Sequence, residues 1–360
     1  MTFQELLQAT PYSLPQSVKE KSLLVGLNQL MNFHYEKCVP YKEIVNRIWG
    51  GRVSAKNLEE IPYLPVSLFK SHQLRSVSEE AVRVTLTSSG TTGQSVSRIA
   101  VDAETSMRQM KALSASLSHI LGPKRLPMLI IDTDAAVKDP QLISARGAGI
   151  LGLMRYGHHH VFVLNEDLSP NRKAIGDFLG MYGKEPFLIF GFTYMVWLNL
   201  VDAFQGKEID LSKGILLHSG GWKKLADQAV DNVVFRNRLK EAFGLQRIYN
   251  FYGMAEQLGS IFLEGGDGLL HPPNFSDVII RNPQTWEPQP VGSEGIIQVL
   301  SLIPLSYPGH SLLTEDIGVI ESIDAGADDW RGKALRIIGR VKKAELRGCS
   351  DMLAQKICEA

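Results

Sequence analysis

A chain of 360 residues with 44% hydrophobic and 21% charged content has the makeup of a folded globular protein, too long for one small core. Its 38 basic and 38 acidic side chains cancel, which excludes a broad electrostatic pull toward nucleic acid or an anionic membrane. Three widely spaced cysteines, Cys38, Cys349 and Cys358, argue against a disulfide framework. With no leader-like pattern over residues 1–15 and no run near the ~20 apolar residues of a membrane span, a cytoplasmic protein is expected.

Residues 17–38 read as a helix, followed by a loop-rich stretch around 61–65. Val82, Val84 and Leu86 alternate with Arg83, Thr85 and Thr87, the period-two pattern of a half-buried strand that ends at Ser88. From there to about residue 250, strands and helices alternate. Met107, Met110, Leu113, Leu117, Ile120 and Leu121 mark one helix face, and strands are expected at 128–131, 161–164, 187–190, 215–218 and 247–251. Further helices are expected at 171–182, from 193, and at 224–243. This alternation predicts a mainly parallel sheet covered by helices. Beyond 255 short strands take over, notably 278–281, 295–301 and 316–321.

Five segments carry chemistry. Ser88, Ser89, Gly90, Thr91, Thr92 and Gly93 combine hydroxyls with unhindered backbone N–H groups, which suits either an anion grip or an ordinary turn. No Gly-Lys-Ser/Thr follows and residues 96–101 alternate like a strand, so this is not a Walker loop and it joins two strands. Gly220 and Gly221 follow a strand, where an open α/β sheet binds ligands; a turn beside a core tryptophan, Trp222, suits the pattern equally. Tyr252, Gly253 and Glu256 also follow a strand, and Glu256 either holds Mg2+ or sits at a helix start. Asp316 could accept ribose hydroxyls or belong to a turn. Near the end, Gly339 and Arg340 precede a basic stretch leading to Cys349, whose positive neighbours favour a thiolate; a solvated basic segment with an inert cysteine is the plainer alternative. Three adjacent histidines, His158, His159 and His160, do not suggest a metal site, because neighbours on a strand point to opposite faces.

Taken together and in this order, the segments resemble the adenylate-forming superfamily of acyl- and aryl-CoA ligases, luciferases and adenylation domains. Ser88–Gly93 is similar to its phosphate loop, Gly220-Gly221 to its adenine-side loop, and Tyr252-Gly253-Met254-Ala255-Glu256 to its Tyr-Gly-x-Thr-Glu motif. Thr314-Glu315-Asp316 resembles its Thr-Gly-Asp ribose motif and Gly339-Arg340 its hinge. More narrowly, Ala145-Arg146-Gly147-Ala148-Gly149-Ile150-Leu151-Gly152-Leu153-Met154, the Tyr252 motif and Leu346-Arg347-Gly348-Cys349-Ser350 resemble the LuxE-like acyl-protein synthetases. Ala255 and Glu315 depart from the superfamily pattern, and the lysine often found after the phosphate loop is lacking.

The resemblance implies an α/β adenylate-forming catalytic domain over residues 1–338, with its β-rich part at about 257–338. A hinge and cysteine-bearing tail at 339–360 would stand where relatives carry a lid domain, here largely missing. It implies ATP and Mg2+ as cofactors, with Ser88 to Gly93, Gly220, Gly221, Tyr252, Gly253 and Asp316 on the nucleotide and Glu256 on the metal. Cys349, Glu256 and Arg340 are the catalytic candidates, with Cys358 as the alternative thiol. The implied substrate is a carboxylic acid, with a long-chain fatty acid as the expected class. Its acyl group would pass to the protein's own thiol and on to a reductase or transferase partner; nucleic acid has no part. Two other readings stay open: a truncated CoA or carrier-protein ligase, and a non-catalytic nucleotide- or adenylate-binding protein.

Overall fold

A computed structural model of the protein describes residues 1–87, 97–138, 145–204, 208–222, 229–327 and 329–341. The chain forms two compact units: a terminal unit of Met1–Ser116 with the described residues of Gly253–Ala360, and a central unit of Leu117–Tyr252.

The terminal unit begins with three helices. Phe3–Gln8 starts in a capping box, in which the Thr2 side chain accepts the Glu5 N–H and the Glu5 carboxylate accepts the Thr2 N–H. Gln16–Lys37 follows Pro15 and buries Leu23, Leu27, Leu30 and Met31, a one-face pattern at helical spacing. Val39–Trp49 stops at Gly50, whose φ of 74° suits a residue without a Cβ. The short strand β1 (Leu64–Pro65) comes next, then β2 (Val82–Thr87) and β3 (Arg98–Asp102), which pair antiparallel up to Thr87 against Arg98. The expected strand-to-strand connection is therefore present, while Ser88 to Gly93 lie outside the described residues.

In the central unit β4 (Leu126–Ile130), β5 (Gly157–Phe162), β6 (Phe187–Phe192), β7 (Gly214–Ser219) and β8 (Arg247–Tyr252) form a parallel sheet in the order β8-β7-β6-β4-β5. β6 and β7 are buried almost throughout, as strands covered on both faces must be. Helices Ala145–Met154, Arg172–Tyr182 and Asn232–Phe243 connect them. Two expected elements need correction. The helix expected at 224–243 is present over Asn232–Phe243, where Asp231 caps the Val234 N–H at 2.8 Å and residues 229–231 are not helical; residues 223–228 lie outside the described residues. β5 begins at Gly157 rather than 161 and takes in the three histidines. His159, at φ 48°, is an extra residue between the pairs Pro127–His158 and Met128–His160, so strand alternation fails there. The rings of His158 and His159 meet edge to face as a result. Among the described residues no group of three or more His, Cys, Asp or Glu side chains is placed to hold a metal ion.

The chain then returns to the terminal unit with β9 (Phe262–Glu264), β10 (Leu270–His271), β11 (Ser276–Arg281), β12 (Glu294–Ser301), β13 (Ser311–Ile323) and β14 (Lys333–Arg340). These run antiparallel in the order β11-β12-β13-β14-β10-β9, and β1 lies parallel along β13. Phe275, Ile279, Leu300, Leu302 and Ile303 pack with the apolar face of Gln16–Lys37. No helix among the described residues is long and apolar enough to cross a membrane.

Candidate functional site

The residues expected to hold a nucleotide divide between the units. In the central unit the carboxyl ends of β6, β7 and β8 carry them. Ser219 ends β7 and its hydroxyl donates to Phe251 O on β8 at 3.0 Å, so the start of the next loop is pinned across the strand pair. Gly220 then takes φ 85°, a conformation open to glycine without strain. An added Cβ at Gly221 would meet nothing within 4 Å among the described residues, and one at Gly220 would meet only the Phe192 ring, at 3.5 Å. Trp222 packs edge to face on Trp197, whose ring stacks on Phe235. The glycines therefore leave backbone accessible beside an aromatic wall, which suits the flat ring of a base.

Beneath that loop His218 is buried. Its Nδ1 lies 3.0 Å from Thr193 Oγ1 and its ring against Phe235. Burial, helped by the charge of Arg236, pulls its pKa down to about 3, so the imidazole is neutral at pH 7. The segment singled out in sequence begins at His218 but gives that residue no role. A histidine inside a strand pattern gives no sign in sequence of whether it faces solvent or core.

Tyr252 ends β8, and four residues later Glu256 sits in the 3-10 turn Ala255–Gln257 of the terminal unit. That turn is held through the main chain and its neighbour. Tyr307 Oη donates to Glu256 O at 2.9 Å, and Gln257 Nε2 donates to Val299 O and Gly309 O at 3.2 and 2.8 Å. The Glu256 carboxylate makes no hydrogen bond or ion pair with the described residues. Its charge is close enough to join burial in raising the Tyr307 pKa. An oxygen donor fixed by its backbone and unclaimed by a cationic side chain fits a hard cation such as Mg2+.

At the ribose motif, Thr314 Oγ1 donates to Ile297 O at 2.8 Å and accepts the Asp316 N–H at 3.1 Å, which sets the backbone from which Asp316 projects. Asp316 pairs with Arg340 in the β13–β14 register, and Arg340 Nε stands 3.9 Å from Asp316 Oδ1. Glu315, standing where the superfamily has glycine, is explained here. It accepts Arg340 Nη2 at 2.9 Å and faces Lys70 Nζ at 3.8 Å, tying Arg340 to β13. The structure thus brings Asp316 and Arg340 together, while Cys349 and Cys358 fall outside the described residues.

Another pair joins Arg146, from the Ala145–Met154 stretch, to an aspartate that no motif announced. Asp132, just past β4, is buried with a side chain only 1% exposed; its Oδ1 accepts the Thr133 N–H at 2.7 Å and its Oδ2 meets Arg146 Nε at 3.3 Å. Burial raises the Asp132 pKa, while the arginine and the Thr133 N–H oppose the shift.

A family model described as acyl-protein synthetase, LuxE, matches residues 3–358. The chain is 25% identical over 332 residues to the long-chain-fatty-acid–luciferin-component ligase of Vibrio harveyi, covering 90% of this chain and 85% of that one. It is 23% identical to the enzyme of the same name from Aliivibrio fischeri, covering 90% and 86%. In three dimensions it is similar to 2-hydroxyisobutyryl-CoA ligase, in an open conformation with 2-HIB-AMP and CoA, with a TM-score of 0.67 and 15% identity over 92% of this chain and 77% of that one. That likeness establishes the adenylate-forming fold, an α/β architecture with a large sheet. With the family match spanning nearly all of its length, the chain belongs to the LuxE family of acyl-protein synthetases, ligases that activate a carboxylic acid with ATP and transfer the acyl group.

Proposed function

We propose that the acid is a long-chain fatty acid and that its acyl group passes through acyl-AMP to the thiol of Cys349, for delivery to an acyl-accepting reductase or transferase. The observation that carries this reading is the extent of the family match, which runs through residue 358 and so takes in the segment around Cys349. The names of the two bacterial relatives support the fatty-acid part.

In the first step a carboxylate oxygen attacks the α-phosphorus of ATP, the bond from that phosphorus to the bridging oxygen breaks, and pyrophosphate leaves. Ser88, Ser89, Gly90, Thr91, Thr92 and Gly93 hold phosphate oxygens. Gly220, Gly221 and Tyr252 face the base, Gly253 lets the chain turn away from β8, and Asp316 accepts the ribose hydroxyls. Glu256 would hold Mg2+, which neutralises phosphate charge when bound. In the second step the Cys349 thiolate attacks the acyl carbon, the carbon–oxygen bond to AMP breaks, and a thioester remains. Arg340, at the end of β14, marks the joint from which the segment bearing Cys349 would move.

Incubation with radiolabelled tetradecanoate and ATP should leave a label on the protein that hydroxylamine removes. Cys349→Ser should abolish that label and Cys358→Ser should retain it. The reverse pattern moves the acceptor to Cys358, and acyl-CoA formation without any protein label would favour the CoA-ligase reading.

A further inference from the structure

We propose that Arg146 receives the carboxylate of the acid substrate, with the buried Asp132 as its positioning residue; the inference rests on the acid-activating reading above and names the group that seats the acid. Three observations in the central unit carry it.

The first is how the arginine is held. A guanidinium has five N–H donors, and Arg146 meets Asp132 through Nε alone. Its four Nη hydrogens make no hydrogen bond or ion pair with the described residues, and the side chain is 35% exposed. The fork is thus ion-paired at its base and open at its tip, the arrangement that recognises a carboxylate.

The second is what clamps it. Burying a carboxylate is unfavourable unless it is paired and hydrogen-bonded, so a buried Asp132 is a demanding way to tie down one surface arginine. The main chain fixes the aspartate further: its N–H donates to Ile130 O at 2.9 Å and its carbonyl accepts the Leu164 N–H at 3.2 Å. The carboxylate that faces the fork is thereby held in place.

The third is where it stands. Asp132 lies just past the carboxyl end of β4, on the edge of the parallel sheet where open α/β folds bind ligands. Arg146 opens the helix Ala145–Met154, and Gly149 follows it by three residues, on the same helix face. A Cβ at Gly149 would lie 3.8 Å from Phe192 Cζ, and one at Gly220 3.5 Å from Phe192 Cδ1. The Phe192 ring therefore bridges from Arg146's helix to the glycine loop expected to face the base. A carboxylate seated on the fork stands on the same edge as that loop, and an oxygen not engaged by the guanidinium remains to attack the α-phosphorus.

Arg146→Lys and Arg146→Met test this through tetradecanoate-dependent exchange of pyrophosphate into ATP, with the melting temperature followed alongside. Charged hydrogen bonds contribute about 1.5–3 kcal/mol, so Arg146→Met should raise KM for tetradecanoate roughly ten- to hundredfold. KM for ATP and for pyrophosphate should stay within about twofold, the specificity expected of a group that touches only the acid. Arg146→Lys keeps a cation against Asp132 but loses the fork, and should fall between Arg146→Met and the wild type. Asp132→Asn should raise the same KM less than Arg146→Met. A fall in melting temperature with KM for tetradecanoate unchanged in both Arg146 variants would make the pair purely structural and overturn the inference. A rise in the pyrophosphate KM instead would give the fork to phosphate and overturn it too. Absence of exchange in the wild type is a separate result: it refutes the acid-activating reading before any variant is compared.

Discussion

In the terminal unit Asp277 is fully buried between Lys19 and Lys333, at 4.0 and 3.5 Å, and accepts Gln16 Nε2 at 2.7 Å; every partner is buried as well. In the central unit the buried Asp132 meets an arginine whose far end reaches solvent. Both carboxylates lie out of water, yet one closes a network and the other aims a group outward. The histidines repeat the contrast. His34 and His310 stack face to face in the terminal unit with their centroids 5.0 Å apart, and Ser76 and Tyr41 bond them from the sides. His218 in the central unit lies directly beneath the glycine loop. Burial of a polar group therefore does not by itself mark a site; its place at a strand's carboxyl end does.

The largest effect should come from breaking the closed network. Asp277→Ala leaves two lysines buried without their counter-charge and should destabilise by about 3–5 kcal/mol in urea titration. Burial already lowers the pKa of Lys19 to about 8, so the variant should recover part of that loss at higher pH, as Lys19 becomes neutral. A loss below about 1 kcal/mol would mean the terminal unit does not depend on this network.

Acid should act next. Burial is the main cause holding the pKa values of His34, His310 and His218 far below the ordinary 6.5. The unfolded chain therefore takes up protons below pH 6.5 that the folded chain refuses. Stability present at pH 7 is lost as pH falls from 6.5 toward the folded-state values, by about 1.4 kcal/mol per pH unit for each histidine. With two such strongly shifted groups against one, and only smaller downward shifts at His119 and His158 in the central unit, the terminal unit should lose protection more steeply. Amide exchange read separately from β12–β13 and from β6–β7, at pH 7 and pH 5, measures this directly; equal slopes would erase the contrast.

The smallest effect belongs to the loop. Gly220→Ala places a Cβ at φ 85° and should lower stability by about 1–2 kcal/mol while raising KM for ATP. Gly221→Ala, without that backbone constraint, should leave stability unchanged and report only on the space beside the base.

Much of the central unit was legible in the sequence because it is built from local signals. Apolar runs such as 187–190 and 215–218, each followed by turn residues, announce parallel strands and place the candidate loops at their ends. What stayed hidden depends on partners distant in sequence or on one backbone angle. Nothing in residues 126–154 tells that Asp132 turns inward to meet Arg146. The His159 bulge overturns strand alternation through one positive φ. Glu315 looked like damage to a ribose motif until Arg340 and Lys70 appeared beside it. The helix expected over 224–243 is broken at 229–231 because Asp231 caps a new start at Asn232.

The order in which the chain leaves the ribosome gives the split of the terminal unit a further meaning. Helix Gln16–Lys37 has its apolar face covered by Phe275, Ile279, Leu300, Leu302 and Ile303, and its Lys19 is neutralised by Asp277, all of which are synthesised last. The central unit is contiguous in sequence and has emerged whole once residue 252 is made. The first 116 residues must wait for the whole of it, on the order of ten seconds at typical elongation rates, with that face uncovered. Nascent chains stalled before residue 275 should accordingly hold a protease-resistant central unit behind an N-terminal segment that chaperones occupy.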